Sequence, residues 1–93
     1  MVVKMNGTEQ DFVHRINVKE TAFHDLFTRF RNYLVLFAMR RIDQLDAAED
    51  IVQETFISVW ENKKIYNSYQ GLKAYLYELV QNKCTNYLKH KQV

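Results

Sequence analysis

The sequence of 93 residues has no proline, only two glycines and a single cysteine. With so few residues that break helices, most of the chain is able to form them. Cys84 has no second cysteine to pair with, which excludes an intramolecular disulfide and is typical of a reducing cytosol. The longest apolar run, residues 33–39, is too short to span a bilayer, and no signal peptide precedes it. We therefore expect a cytoplasmic protein without a membrane partner.

Catalytic and metal-binding patterns are also missing. His14, His24 and His90 lie far apart in the sequence, and no HExxH, GxSxG or glycine-rich phosphate loop occurs. The Glu-x-x-His pattern that helical metal centres use is absent too. The sequence therefore predicts no enzymatic activity, no cofactor and no metal. A net charge of +2 is too small to indicate nucleic-acid binding by itself.

Apolar residues recur with the spacing of helices, and the alternation typical of strands is absent. The pattern predicts an all-α fold, a compact four-helix domain that occupies the whole chain. After a flexible segment at 1–8 we expect a short first helix around 9–16. Three longer helices follow at about 19–41, 45–62 and 72–90, and a polar loop with interspersed tyrosines precedes the last one.

One side of each long helix is apolar and forms the predicted core. The second helix contributes Phe23, Leu26, Phe27, Phe30, Leu34, Phe37 and Ala38. The third helix contributes Leu45, Ala48, Val52, Phe56 and Val59. The fourth helix contributes Leu72, Leu76, Leu79, Val80, Cys84 and Tyr87.

Six carboxylates lie between Asp43 and Glu61, with no Lys or Arg among them. Acids on one side of a helix repel each other mildly, and an exposed apolar residue among them is typical of an interface with a charged rim. The pattern favours a basic protein partner, although a simply solvated face has the same appearance. The residues that share this side of the third helix are Asp46, Asp50, Glu54 and Glu61, with Gln53 and Ile57 beside them.

The polar side of the fourth helix carries more amides and hydroxyls than charges. Such groups donate and accept hydrogen bonds, as the reading of base edges requires, and lysines nearby are suited to phosphates. Exposed tyrosines are suited to stacking on unpaired bases. The alternatives are an ordinary amphipathic helix and tyrosines that pack in the core. The candidate nucleic-acid residues are Tyr66, Tyr69, Tyr75, Asn82, Lys83, Thr85, Asn86 and Lys89.

Two segments, AEDIVQETFISVW (48–60) and LKAYLYELVQNKCTNYLKH (72–90), strongly resemble region 2 of bacterial RNA polymerase sigma factors. The class they resemble is the extracytoplasmic-function class. The most specific part is D-x-x-Q-E-x-F, formed by Asp50, Gln53, Glu54 and Phe56. The second is YLYxxxxN, from Tyr75 to Asn82. The residues from 9 to 42 resemble the short helix and the long helix that precede these motifs.

The resemblance implies partners for both faces. In this family the first motif docks on the basic clamp helices of the polymerase β′ subunit, so Asp50, Gln53 and Glu54 match the contacting positions. The second motif belongs to the helix and loop that engage the promoter minus-ten element. A non-template base flips there into a pocket formed by the loop before the last helix, and Asn82 matches a position implicated in reading it. An anti-sigma factor is a further candidate partner.

Complete members of the family carry a second helical domain that reads the minus-thirty-five element, and this sequence ends at residue 93 without one. We therefore expect either an isolated region 2 domain or a truncated chain, with weak affinity for DNA in the absence of polymerase. Two other functions fit the residue pattern. One is a helical interaction domain that binds some other basic partner, and the other is a helix-turn-helix protein that binds duplex DNA.

Overall fold

Four helices form the part of the chain that the computed structural model describes, residues 2–18, 22–62 and 65–92. They are α1 (Val2–Val18), α2 (Ala22–Met39), α3 (Leu45–Glu61) and α4 (Tyr69–Gln92). The described residues include no strand, so the predicted all-α fold is confirmed. None of the described helices combines the length and the apolar character that crossing a membrane requires.

The first helix is longer than the sequence predicts. It begins at Val2 and covers most of the segment that we expected to be flexible. Gly7 costs a helix about 1 kcal/mol relative to alanine, and no proline is present to stop it. The second helix ends at Met39, so Arg40 and Arg41 lie in the turn after it. Its predicted start at residue 19 falls outside the described residues.

The last helix begins at Tyr69, three residues before the predicted start. Ser68 lies just ahead of it, and its hydroxyl accepts a hydrogen bond of 3.0 Å from the backbone N–H of Gly71. This is the N-cap interaction that serine provides to the otherwise unpaired N–H groups of a first turn. The cap fixes where the polar loop ends and α4 begins.

A single core joins the helices. Phe56, Leu26, Leu34, Leu72 and Leu76 are its largest fully buried apolar side chains. Most of the predicted core residues are buried, and Phe27, Phe37, Leu79 and Tyr87 are half-buried against them. The side chain of Phe23 lies outside the described residues. The prediction was wrong at Leu45, which is 51% exposed, while Ile51 is buried in α3. Leu45 is the first residue of α3, so its side chain projects from the end of the helix.

Polar side chains form hydrogen bonds within the helices and between them. Thr55 is buried, and its hydroxyl donates to the carbonyl of Ile51 at 2.9 Å, so burial leaves the hydroxyl paired. The Tyr87 hydroxyl of α4 donates to Oε1 of Gln44 at 3.0 Å, directly before α3. Nε of Arg41 donates to Oε1 of Gln81 at 2.9 Å, which ties the turn after α2 to α4. The surfaces of α3 and α4 are therefore held in a fixed relative position.

Candidate functional site

The acidic stripe, which we define as Asp46, Asp50, Glu54 and Glu61, is exposed along α3. Gln53 is exposed beside it, and so is Ile57 at 40%. Their predicted placement on one outward face is thus confirmed. Glu49 differs from the stripe because Nη2 of Arg31 contacts its carboxylate at 2.9 Å. Arg31 thus neutralises the carboxylate at the edge of α3, and the salt bridges among the described residues include none of the four stripe carboxylates.

Trp60 belongs to the same face and was missed in the sequence reasoning. It is the only tryptophan of the chain and is 41% exposed. Its position, three residues after Ile57 and seven after Gln53, is the signal that places it beside them on a helix. Tryptophan is enriched among the residues that dominate binding energy at protein interfaces. The stripe therefore borders an apolar centre formed by Ile57 and Trp60.

The outer face of α4 carries the predicted amide-rich surface. Asn82, Thr85, Asn86 and Lys89 are all exposed there, while Lys83 is half-buried. The Thr85 hydroxyl donates to the carbonyl of Gln81 at 3.0 Å, so its donor hydrogen is used within the helix. The amides of Asn82 and Asn86 are thus the groups of this face best suited to pair a donor and an acceptor with a base edge.

The tyrosines of the loop and of the first turns of α4 are largely packing residues. Tyr66 is only 6% exposed, so it is not the exposed stacking platform that the polar loop predicts. Burial, with a smaller effect from neighbouring Tyr75, raises the pKa of Tyr66 to about 12. Tyr69 is half-buried between the rings of Phe12 and Phe30, at centroid distances of 6.0 and 5.9 Å. The rings of the loop therefore strengthen the core.

Tyr75 is half-buried as well. Its ring lies 5.9 Å from the ring of Tyr66, and its hydroxyl accepts a hydrogen bond of 3.0 Å from Nδ2 of Asn62. This contact joins the end of α3 to α4 on the side of α4 that carries Asn82. Tyr75 therefore positions the amide-rich face and shows little surface of its own.

The loop before α4 forms a cavity of about 500 Å³ with α1. We call it the loop cavity. It is the size of small-molecule pockets, and amide and hydroxyl groups from both elements reach it, including Gln10, Asn67, Ser68 and Gln70. Asn17 also lines it and holds the loop in place, since its side chain donates to the Tyr66 carbonyl and accepts from the Tyr66 N–H, both at 2.8 Å.

The loop cavity and Asn82 are far apart along the helix. Asn82 lies twelve positions after Gln70, which is roughly 18 Å at the rise of an α-helix. One nucleotide cannot contact both positions. A strand of several nucleotides that follows α4 can place one base in the cavity and another against Asn82.

A smaller cavity of about 360 Å³ lies between α3 and α4. Asp50 and Glu54 line it from α3, while Lys83 and Asn86 line it from α4. The structure thus brings together two sets of residues that the sequence assigned to different partners. Elsewhere, no group of three or more His, Cys, Asp or Glu side chains suited to a metal occurs among the described residues.

Comparison with known proteins shows the family of the chain. The Sigma-70 region 2 family matches residues 26–93, and the chain therefore belongs to the sigma-70 family, as a region 2 domain. It is similar to a probable RNA polymerase sigma factor of Haemophilus influenzae (strain ATCC 51907 / DSM 11121 / KW20 / Rd), with 31% identity over 75 residues. That alignment covers 80% of this chain and 39% of the relative, so the chain spans about two fifths of that protein. No solved structure matches the chain.

Proposed function

We propose that this chain is the part of a sigma factor that docks on core RNA polymerase and captures the non-template strand of the promoter minus-ten element. It would act by binding alone, with bond chemistry supplied by the polymerase. The observation that carries the proposal is the exposed acidic stripe beside Ile57 and Trp60, on the helix that contains the D-x-x-Q-E-x-F motif. The family resemblance further suggests the extracytoplasmic-function class, and an anti-sigma factor as a competing partner.

The proposed polymerase contact is the β′ clamp, whose helices are basic in this family. Asp50 and Glu54 would form charge-assisted hydrogen bonds with arginines there, and the Gln53 amide would add a neutral bond. Complementary charge raises the association rate and fixes the orientation of the two proteins. Ile57 and Trp60 would supply the apolar contact at the centre of this interface, where burial contributes most to affinity.

The proposed DNA contact has two parts. The loop cavity would accept one flipped base, with its amide and hydroxyl groups positioned to pair with the base. Further along α4, Asn82 and Asn86 would meet bases, while Lys83, Lys89 and the acceptor oxygen of Thr85 would contact the sugar-phosphate backbone. Tyr66, Tyr69 and Tyr75 would support the cavity and this face from inside. Capturing unpaired bases keeps the duplex open, since a base held by protein cannot re-form its pair.

Tryptophan fluorescence provides a direct test, because Trp60 is the only tryptophan of the chain and lies beside the stripe. The summed emission of free chain and free polymerase serves as the reference, because the polymerase has many tryptophans of its own. Titration with core polymerase should change the emission of the wild-type complex relative to this reference, and labelled chain should co-elute with the polymerase. A chain that neither co-elutes nor changes its emission would contradict the polymerase half of the proposal. Binding to some other basic protein with equal affinity would favour a general interaction domain.

A further inference from the structure

The α1 wall of the loop cavity carries a charged group to which the proposed function gives no role. Glu9 lines the cavity and is exposed. It takes part in neither of the ion pairs between described residues. No lysine or arginine is among the described residues that line the cavity. The carboxylate of Glu9 therefore faces whatever occupies the cavity without a lysine or arginine there to neutralise it.

The residues of α1 that line the cavity follow one side of the helix. Glu9, Val13 and Asn17 are spaced by four residues, so they form one row along α1. Asn17 lies eight positions after Glu9, which is roughly 12 Å at the rise of an α-helix. The amide of Asn17 is committed to the backbone of Tyr66. Glu9 is therefore at the opposite end of the row, and a purine or pyrimidine ring is short enough to lie between the two ends.

The lining of the cavity suits a base better than a phosphate. Val13 of α1 and Ile65 of the loop bring apolar side chains to it, and apolar side chains stack against the faces of a flipped base. Contacts to phosphate come chiefly from lysine and arginine, which the described lining lacks. Selectivity in this cavity would then depend on hydrogen bonds to the edge of the base.

Most polar side chains of the cavity are able to pair with any base edge. The amides of Gln10, Asn67 and Gln70 line it, and an amide both donates and accepts hydrogen bonds. Glu9 differs, because a carboxylate only accepts. Its partner on a base is an exocyclic amine, as in the pairing of glutamate with the amino group of cytosine. Adenine, cytosine and guanine carry such an amine, whereas thymine presents two carbonyl oxygens around a single N–H.

We propose that Glu9 makes the loop cavity selective for a base with an exocyclic amine and that it excludes thymine. This inference rests on the proposed function, which places a flipped base in the cavity. The carboxylate would accept a hydrogen bond from the amine, whereas the carbonyl oxygens of thymine would be repelled by it. The group that discriminates between bases would thus come from α1, while the loop and the start of α4 supply the rest of the wall.

The test measures binding of fluorescein-labelled single-stranded minus-ten oligonucleotides to the full chain by anisotropy, at low salt and again with core polymerase added. The four bases are compared at each position in turn. Glu9→Gln keeps the size of the side chain, removes its charge and adds a donor that can pair with a carbonyl of thymine. Asp11→Asn is the matched control, since it removes the same charge from an exposed residue of α1 that does not line the cavity.

Wild-type chain should bind thymine at one position roughly 5- to 150-fold more weakly than the best other base, the range that one well-placed base contact provides. Glu9→Gln should remove most of this difference by raising the affinity for thymine. Asp11→Asn should keep the difference, and any gain in affinity from its lost charge should be the same for all four bases. Identical base preferences of the two variants at every position would overturn the inference, and so would wild-type chain that nowhere discriminates against thymine.

Two further outcomes separate this inference from the proposed function. Chain that binds no oligonucleotide under either condition would overturn both this inference and the DNA half of the proposed function. Binding that depends on Asn82, with base preferences that Glu9→Gln leaves unchanged, would overturn this inference alone. A change at the same position that Asn82→Ala alters would also contradict it, because Asn82 is too far from the loop cavity to contact the same nucleotide.

Discussion

Asn17 and Tyr66 are joined by two reciprocal hydrogen bonds of 2.8 Å, although 49 positions separate them in the chain. The amide of Asn17 in α1 occupies both the N–H and the carbonyl of Tyr66. Backbone groups of a loop that are buried need such partners, because they have no neighbouring strand or helical turn. One side chain of α1 thus sets the position of the loop that forms the proposed base cavity.

We expect Asn17→Ala to destabilise the fold by about 1–3 kcal/mol, since it leaves both backbone groups of Tyr66 without this partner. Asn17→Asp keeps the acceptor for the N–H and loses the donor to the carbonyl, so it should show part of the effect. Urea unfolding measures both. Hydrogen exchange should locate the change in the loop residues 65–68, and unchanged exchange there would contradict the assignment.

Reversing charge in the acidic stripe should separate binding from folding. Asp50→Lys or Glu54→Lys should abolish binding to core polymerase, because reversing a desolvated pair costs roughly 2–5 kcal/mol. The melting temperature should change little, since both side chains are exposed. Co-elution with polymerase and circular dichroism measure the two quantities. Wild-type binding by both variants would rule out the stripe as the docking surface.

Neighbouring residues of α3 should show opposite effects. Phe56 is fully buried, so Phe56→Ala should destabilise the fold by about 3–5 kcal/mol. Ile57 is partly exposed, so Ile57→Ala should have little effect on stability and should weaken polymerase binding. Thermal melts and a polymerase titration measure each variant. The assignment of the two faces is incorrect if Ile57→Ala proves the more destabilising change.

The Asn82→Ala substitution on α4 should change the base preference at one promoter position. The difference in binding free energy between the best and the worst base there should change by roughly 1–3 kcal/mol. Lys89→Ala should weaken all sequences alike and reduce the salt slope by about one unit. The assay is polymerase-dependent binding of minus-ten oligonucleotides that carry each base in turn. If the Asn82→Ala variant loses affinity equally for all four bases, Asn82 is a positioning residue and does not read the base.

Tyr66 makes stability depend on pH in the alkaline range. Its pKa is raised to about 12 in the folded chain from 10.0, so above pH 10 the unfolded chain loses this proton first. Stability should be unaffected by Tyr66 below pH 10 and fall as pH rises towards 12, by about 2–3 kcal/mol in total. Urea unfolding of Tyr66→Phe should show a shallower alkaline decline than wild type. Tyr77 contributes in the same direction in both proteins, so the difference isolates Tyr66.

Periodicity was sufficient to predict the four helices and most of the core, because burial of one side of a helix imposes a regular spacing. It failed at the ends of helices. Leu45 fits the spacing but lies at the first position of α3, and the start of α4 depends on the Ser68 cap. Neither a projecting first residue nor a capping geometry follows from an apolar pattern.

The candidate site was predictable to a similar extent. The exposed stripe on α3 and the amides on α4 follow from helical phase alone. The burial of Tyr66 does not, because it depends on Asn17, a residue distant in the sequence that holds the loop. The groove of about 750 Å³ between α1, α2 and the first turns of α4 does not follow from the sequence either, since each helix contributes only a few of its residues.

The cavity between α3 and α4 would couple the two proposed binding events. Asp50 and Glu54 line it together with Lys83 and Asn86, so the carboxylates lower the electrostatic potential at residues that would meet DNA. A clamp arginine bound to these acids would cancel that field, and the attraction of the α4 face for phosphate would then rise. By linkage, DNA on α4 would strengthen docking on polymerase by the same factor. Free chain in the cell would accordingly be spared from sequestration on bulk DNA, and would engage promoters chiefly once polymerase holds it.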